Sequence, residues 1–362
     1  MIRKIKVLFI TARSDFGGGP RHVEQLIENM PKEVEIYMAY PKGGEPYGKM
    51  WDRSSRIKDY CEIPYRQLSL SALWHLRTFL KENHITIVHS HGQGAGIYAK
   101  LLKLLTPSIC VIHTFHGAAS VNGSPLKNIV YRIFNRGLSK VVTRYICVSE
   151  GEKCAAIALG FCTPNRVSVI YNGVEEQEKI ADNIVEDDTI RVVSLSRFDY
   201  AKHMELAYEI AFTLKDNAKI QFIWVGDGED MPRLKEKSEQ EGCNITFTGF
   251  SNTPIKYLQT TDIYLSTSRF EGLPYALIEA CEASLPIIAT DVVGNNEVCV
   301  NHENGILFST KDEGVAAILT LASDELLRKK YAWQSRKRFE DHFTIPQMVQ
   351  AIFNIYGELN KQ

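Results

Sequence analysis

The feature that most constrains the fold is an alternation that runs through the chain and restarts once. Short, continuously apolar segments at 6–12, 34–40, 85–89, 110–114, 145–149 and 167–170 are separated by stretches with helical apolar spacing. A strand that is apolar on both of its alternating sides must be covered on both faces, and helices between such strands point to parallel crossover units. The pattern breaks at a polar, acidic segment at 175–188 and resumes at 191–195, 220–225, 245–248, 263–266, 286–289 and 305–307. The restart predicts two Rossmann-like, doubly wound α/β domains facing across a cleft. With 362 residues the chain is too long for one ordinary core and suits two. The expected partition is residues 1–172, residues 173–345, and a C-terminal helix at 346–362 that crosses back to the first domain.

No apolar run reaches the ~20 residues that span a bilayer. The basic and apolar start is short and runs into Gly17-Gly18-Gly19, so it reads as a buried first strand rather than a leader. The eight cysteines are scattered without a CxxC pair, as expected of reduced thiols. Net charge is −1, yet residues 1–170 hold 23 Lys and Arg against 12 Asp and Glu, while the remainder holds 19 against 31. No acidic residue occurs from 83 to 149. The first half is therefore expected to meet something anionic.

Three segments carry chemistry. Phe16-Gly17-Gly18-Gly19-Pro20-Arg21-His22 follows the first strand, where glycine lets backbone approach a ligand and a helix N-terminus can hold a phosphate. Taken alone, it suits a plain strand-to-helix turn equally well. Arg197 and Lys202 follow the first strand of the second domain, where doubly wound folds bind ligands and where two cations can neutralise a diphosphate. Two solvated surface charges are the alternative. Glu271 and Glu279 bracket a Gly-Leu-Pro turn at which Pro274 opens a helix, so both acids flank an N-terminus that attracts anions.

These segments, together with Phe115-His116-Gly117 and the stretch 289–297, occur in one order, and the set resembles the retaining glycosyltransferases of family 4, of GT-B architecture. The resemblance covers nearly the whole chain. It implies a hexosyl- or N-acetylhexosaminyltransferase that moves a sugar from a nucleotide-diphosphate donor, a UDP-sugar, to a glycan acceptor in bacterial surface polysaccharide synthesis. It further implies that Gly18 and Gly19 approach the donor phosphates, His116 contacts the transferred sugar, and Arg197 and Lys202 grip the diphosphate. Glu271 would hold sugar hydroxyls beside Gly272, Leu273, Pro274 and Tyr275; Glu279 would bond the ribose, and residues near Phe250 would frame the base. Two departures stand out: Ser196 replaces the usual glycine before the phosphate-binding arginine, and Gly19 is an extra glycine that leaves the loop register open.

No Asp-x-Asp motif is present, so no metal and no other cofactor is expected at the diphosphate, where protein cations replace it. His89, His91 and His113 lie at strand ends near His116, but such spacing defines no ligand geometry. Arg132, Arg136 and Lys140 recur every four residues beside an apolar set of Leu126, Ile129, Val130, Ile133 and Phe134. A basic amphipathic helix of this kind lies at a lipid interface, unless its apolar face is simply core. The expectation is a cytoplasmic protein, peripheral on the inner face of the plasma membrane, with a polyprenyl-diphosphate-linked acceptor and no nucleic-acid partner. An epimerase of the same architecture, using water in place of an acceptor, and a non-catalytic nucleotide-sugar-binding protein are the rival readings.

Overall fold

The computed structural model describes residues 4–117, 125–178 and 188–361. The chain divides into two compact units, Met1–Asn172 with Ile345–Gln362, and Gly173–Thr344. In unit 1 the elements run β1 (Ile5–Thr11), α1 (Gly18–Asn29), β2 (Val34–Tyr40), α2 (Tyr47–Trp51), β3 (Ile57–Glu62), α3 (Leu70–Glu82), β4 (Ile87–His91), α4 (Gln93–Leu105), β5 (Cys110–Thr114), α5 (Pro125–Gly137), β6 (Arg144–Cys147), α6 (Glu150–Ala158) and β7 (Val167–Val169). Unit 2 continues with β8 (Ile190–Leu195), α7 (Met204–Thr213), β9 (Ile220–Val225), α8 (Met231–Glu241), β10 (Ile245–Gly249), α9 (Ile255–Leu258), β11 (Ile263–Ser266), α10 (Tyr275–Glu282), β12 (Ile287–Thr290), α11 (Asn295–Val298), β13 (Gly305–Phe308), α12 (Lys311–Ser323) and α13 (Glu325–His342). The last helix, α14 (Ile345–Asn360), belongs to unit 1.

Every strand pairing in both sheets is parallel. The order is β3-β2-β1-β4-β5-β6-β7 in unit 1 and β10-β9-β8-β11-β12-β13 in unit 2. Each unit is thus doubly wound, with the direction of strand addition reversing between β1 and β4, and again between β8 and β11. Apolar residues of unit 1 separate onto two faces. One gathers Leu8, Val88 and Val111 with Leu76 and Leu102 under α3 and α4; the other gathers Phe9, Ile36 and Ile87 with Val23 of α1 and Ile352 and Tyr356 of α14. In unit 2 a fully buried Trp224 packs edge-on to Phe247 and near Phe198.

Two strands depart from the sequence expectation. The edge strand β3 has the sequence IKDYCE with mostly exposed residues, so it offers no continuous apolar run. The strand expected at 85–89 lies two residues later, at Ile87–His91, because Ser90 and His91 are buried inside the sheet although polar. The broken segment between the units falls partly outside the described residues, at 179–187.

Glycines after β9 let two loops meet. Gly226 has φ +138, and a Cβ there would lie 1.8 Å from the Ser196 carbonyl oxygen. Gly242 ends α8 at φ +66 with open space around it. Gly226→Ala is therefore expected to cost more than Gly242→Ala, for which the left-handed penalty alone is about 1 kcal/mol. Urea unfolding of the two variants checks this; equal losses would show that the Ser196 contact yields freely.

Candidate functional site

Where the order of strands reverses, the loops leaving the two neighbouring strands part, and polar groups collect at the carboxyl edge. In unit 2 these are the loops after β8 and β11. Lys202 Nζ donates to Glu271 Oε1 at 2.5 Å, and the Ser268 hydroxyl donates to the same oxygen at 2.7 Å. The pair is largely shielded, its side chains 20% and 14% exposed. The loops are joined by further bonds: Arg269 N–H donates to the Ala201 carbonyl at 2.8 Å, and the Thr267 hydroxyl to those of Lys202 and His203. Arg197 is not part of this cluster. Its guanidinium is 59% exposed and pairs with Asp199 at 2.9 Å.

Several residues hold the arrangement from behind. Phe198 N–H donates to the Asp227 carbonyl at 3.0 Å, over the glycines of the β9 loop. Gly294 has φ +87, and a Cβ there would stand 2.6 Å from the Gly272 carbonyl oxygen, so the late motif packs directly on the Glu271 turn. Thr290 donates to the Ser268 carbonyl at 2.6 Å and accepts from Asn295 Nδ2 at 3.1 Å. Pro274 is the N-cap of α10, with extended backbone and no side-chain cap bond, and the first turn holds no acid. The positive end of the helix dipole is therefore not neutralised from within the first turn. A shallow hollow is lined by Ser196, Lys202, Thr267, Ser268 and Pro274. Glu279 is the fifth residue of α10, and Phe250 stands 53% exposed just beyond β10. Burial first, and the Glu279 charge second, raise the pKa of Tyr264 behind them.

At the corresponding point of unit 1 the polar groups are imidazoles. His116 follows β5, His91 ends β4 and His22 lies in α1. Their ring centroids are 5.0 Å apart for His22 and His116 and 5.7 Å for His91 and His116. A Cβ on Gly19 would touch His116 at 3.5 Å, so the glycine loop and His116 do come together. Burial drives the pKa of His22 down from 6.5 to about 4, and it holds His91 and His116 well below the usual value, helped by neighbouring imidazoles. All three rings are neutral. His89 and His113, by contrast, are satisfied inside the sheet: His89 is bonded to the Tyr356 and Thr114 hydroxyls at 2.6 and 2.7 Å, and His113 to Ser90 at 2.9 Å.

Residues absent from the sequence reading prove important here. Glu152 of α6 accepts from the N–H groups of Gly117 at 2.5 Å and Val148 at 2.8 Å, tying the His116 loop to a helix start. Its place three residues after the cap Ser149 is the capping pattern that marks it in sequence. Asn172 Oδ1 faces His22 Nδ1 at 3.1 Å.

On α5, Tyr131 and Asn135 face inward; Asn135 accepts from the buried Lys100 and is itself 3% exposed. The opposite side leaves Ile129, Val130 and Ile133 54%, 59% and 66% exposed, so this apolar set is not core. Arg132 and Arg136 are exposed beside it, whereas Lys140 lies past the helix end at Gly137, in a turn, and so does not continue the helical spacing. The side chain of Leu126 lies outside the described residues.

Two doubly wound parallel units in one chain define the GT-B architecture. The profile described as Glycosyltransferase Family 4 matches residues 16–178, and that described as Glycosyl transferases group 1 matches residues 175–338. The chain is 27% identical to the Escherichia coli UDP-Gal:alpha-D-GlcNAc-diphosphoundecaprenol alpha-1,3-galactosyltransferase, over 98% of this chain and 97% of that one. It is 26% identical to the O-antigen biosynthesis glycosyltransferase WbnH of Escherichia coli, over 88% and 90%. In fold it is similar to Anabaena HepE, solved with UDP and glucose, with a TM-score of 0.82, 15% identity, and coverage of 98% and 100%. The chain belongs to the family 4 glycosyltransferases and is itself a glycosyltransferase.

The neutral imidazoles of unit 1 have a measurable consequence. Between pH 6.5 and about 4 the unfolded chain takes a proton at His22 that the folded one refuses, so stability falls as pH drops through that window. The His22 ring resonance is expected to titrate near 4 by NMR, and the unfolding midpoint to fall with it. A midpoint near 6.5 would mean that the ring is open to water.

Proposed function

We propose that the protein transfers a hexosyl or N-acetylhexosaminyl group from a UDP-sugar to a lipid-diphosphate-linked glycan, with retention at the anomeric carbon, in surface polysaccharide synthesis. The observation that carries this reading is the Lys202–Glu271 pair at the switch point of unit 2, beside the N-terminus of α10. Glu271 orients sugar hydroxyls, while Lys202, Arg197 and the α10 dipole stabilise charge on the departing diphosphate. In the transfer the bond from the anomeric carbon to the β-phosphate oxygen breaks, and the acceptor oxygen bonds to the same face. The acceptor proton passes to the leaving phosphate, so UDP departs with charge and atoms balanced. Protein cations do the work of a metal at this step. Gly18, Gly19 and His116 of unit 1 address the donor phosphates and the transferred sugar. Glu279 bonds the ribose, and Phe250 frames the base.

The names of relatives support the donor and the acceptor. The Escherichia coli relative is named for UDP-galactose and for a diphosphoundecaprenol-linked GlcNAc, and WbnH for O-antigen synthesis. Among the described residues no helix is long and apolar enough to cross a membrane. The protein reaches a lipid-borne acceptor instead by laying α5 on the inner face of the plasma membrane. Its exposed Ile129, Val130 and Ile133 enter the acyl boundary, and Arg132, Arg136 and Lys140 meet anionic headgroups.

Two measurements test the reading. Arg197→Ala and Lys202→Ala should each lower kcat by about 10²–10³-fold, as does loss of one donor to a developing anion. UDP release should require an acceptor; release or epimerised sugar without one would favour the rival chemistry. For the membrane face, sedimentation with anionic vesicles should fall as salt rises. Reversing Arg132, Arg136 and Lys140 to Glu should weaken binding at least about 100-fold, at about 1 kcal/mol for each basic residue lost. Wild-type sedimentation by the triple variant would detach α5 from that role.

A further inference from the structure

Three cations lie on the loops after β8 and β11: Arg197, Lys202 and Arg269. Two of them are already neutralised. Lys202 is paired with Glu271 and Arg197 with Asp199, so neither pair carries net charge. Arg269 is the exception. It stands exposed two residues before Glu271, and among the described residues no carboxylate pairs with it. Its guanidinium is nonetheless fixed. Nη1 donates to the Tyr200 carbonyl at 2.8 Å, and the central carbon lies 4.4 Å from the centroid of the Tyr200 ring. The Arg269 backbone N–H donates to the Ala201 carbonyl at 2.8 Å, so both ends of the residue are tied to the loop after β8. Burial first, and the Arg269 charge second, lower the pKa of His203 at the start of α7, so the field of this cation is felt along that loop.

A guanidinium held in this way is preorganised for an anion. The bond to Tyr200 uses one of its N–H donors, and stacking on the ring occupies a face while the edges of the plane stay open. The side chain has already given up much of its rotamer freedom, so the cost of ordering it does not fall on a ligand. The planar fork of arginine matches the paired oxygens of a phosphate. The ring beneath is open as well, with Tyr200 67% exposed. We propose that Arg269, stacked on Tyr200, binds diphosphate oxygens as a third cation beside Lys202 and Arg197. The inference rests on the donor and acceptor proposed above, and both carry that group: the nucleotide of the donor and the lipid diphosphate of the acceptor. With either one, Arg269 adds the net positive charge that the two ion pairs lack.

Calorimetry on the full chain tests this, with UDP as one probe and a short-chain alkyl-diphospho-GlcNAc as the other. Arg269→Gln should weaken binding of at least one probe by about tenfold or more, as for a lost charge-assisted bond. A loss with UDP assigns the contact to the donor, and a loss with the GlcNAc compound assigns it to the acceptor. Uridine lacks the diphosphate, so it should bind Arg269→Gln as it binds the wild type, which also shows that the variant is folded. Arg269→Lys should recover only part of the affinity, because a point charge replaces a fork. Tyr200→Ala should weaken binding about two- to fivefold, as for an exposed cation–π contact. Lys329→Gln removes an exposed charge on α13 and should change neither affinity. Unchanged affinity of Arg269→Gln for both probes would overturn the role of Arg269 alone. A wild type that binds neither probe would overturn the donor and acceptor reading together with it.

Discussion

A parallel strand can be followed by another only through a crossover, and crossovers take one hand. Every strand of a unit therefore delivers its carboxyl end to the same edge of the sheet. The chain can turn back from its direction of travel across the sheet at one place, between β1 and β4 in unit 1 and between β8 and β11 in unit 2. There two adjacent loops leave in opposite directions. The groups that matter chemically gather at these two gaps: imidazoles and a glycine loop in one, a lysine, a carboxylate and a helix start in the other.

The same geometry is filled with opposite electrostatics. In unit 2 the charged groups stay partly wet, and Lys202 and Glu271 neutralise each other, so neither bears the full penalty of leaving water. In unit 1 the imidazoles sit deeper and give up their charge instead. Paired charges can reorganise around an anionic ligand, whereas neutral imidazoles offer donors and lone pairs to uncharged polar groups. The division does not mirror the chain's overall imbalance, basic in the first half and acidic in the second: in the acidic half each of these cations is paired with a carboxylate, Lys202 with Glu271 and Arg197 with Asp199.

Much of this was legible in sequence because parallel strands buried on both faces write themselves as apolar runs. Twelve strands announced themselves so, and β3 did not, since an edge strand such as IKDYCE can face water. The end of β4 was misplaced by two residues because His89-Ser90-His91 reads as polar, though the sheet buries it and supplies hydroxyl partners to His89. Lys202 and Glu271 could be singled out by position, but their direct pairing could not, since it spans two strands far apart in the chain. Arg197 facing Asp199 is likewise a matter of side-chain direction. Glu152 occupies a capping position that the sequence displays, but its bond to the Gly117 N–H, like that of Asn172 to His22, joins loops remote in sequence and leaves no periodic trace. Gly294 stood in a motif whose order was visible while its reason, contact with the Gly272 carbonyl, was not.

Helix α14 closes unit 1 after the chain has passed through the whole of unit 2. Its Met348, Ile352 and Tyr356 complete one apolar face of the first sheet, and the Tyr356 hydroxyl satisfies His89 at the centre of that sheet. During synthesis, unit 2 can therefore finish while unit 1 still waits with an uncovered greasy face and an unsatisfied imidazole. The ribosome must have made the residues through Asn360, and released them from its tunnel, before the first unit becomes a finished object. The order of completion is the reverse of the order of translation, and a nascent chain stalled anywhere before α14 displays the surface that chaperones and proteases recognise.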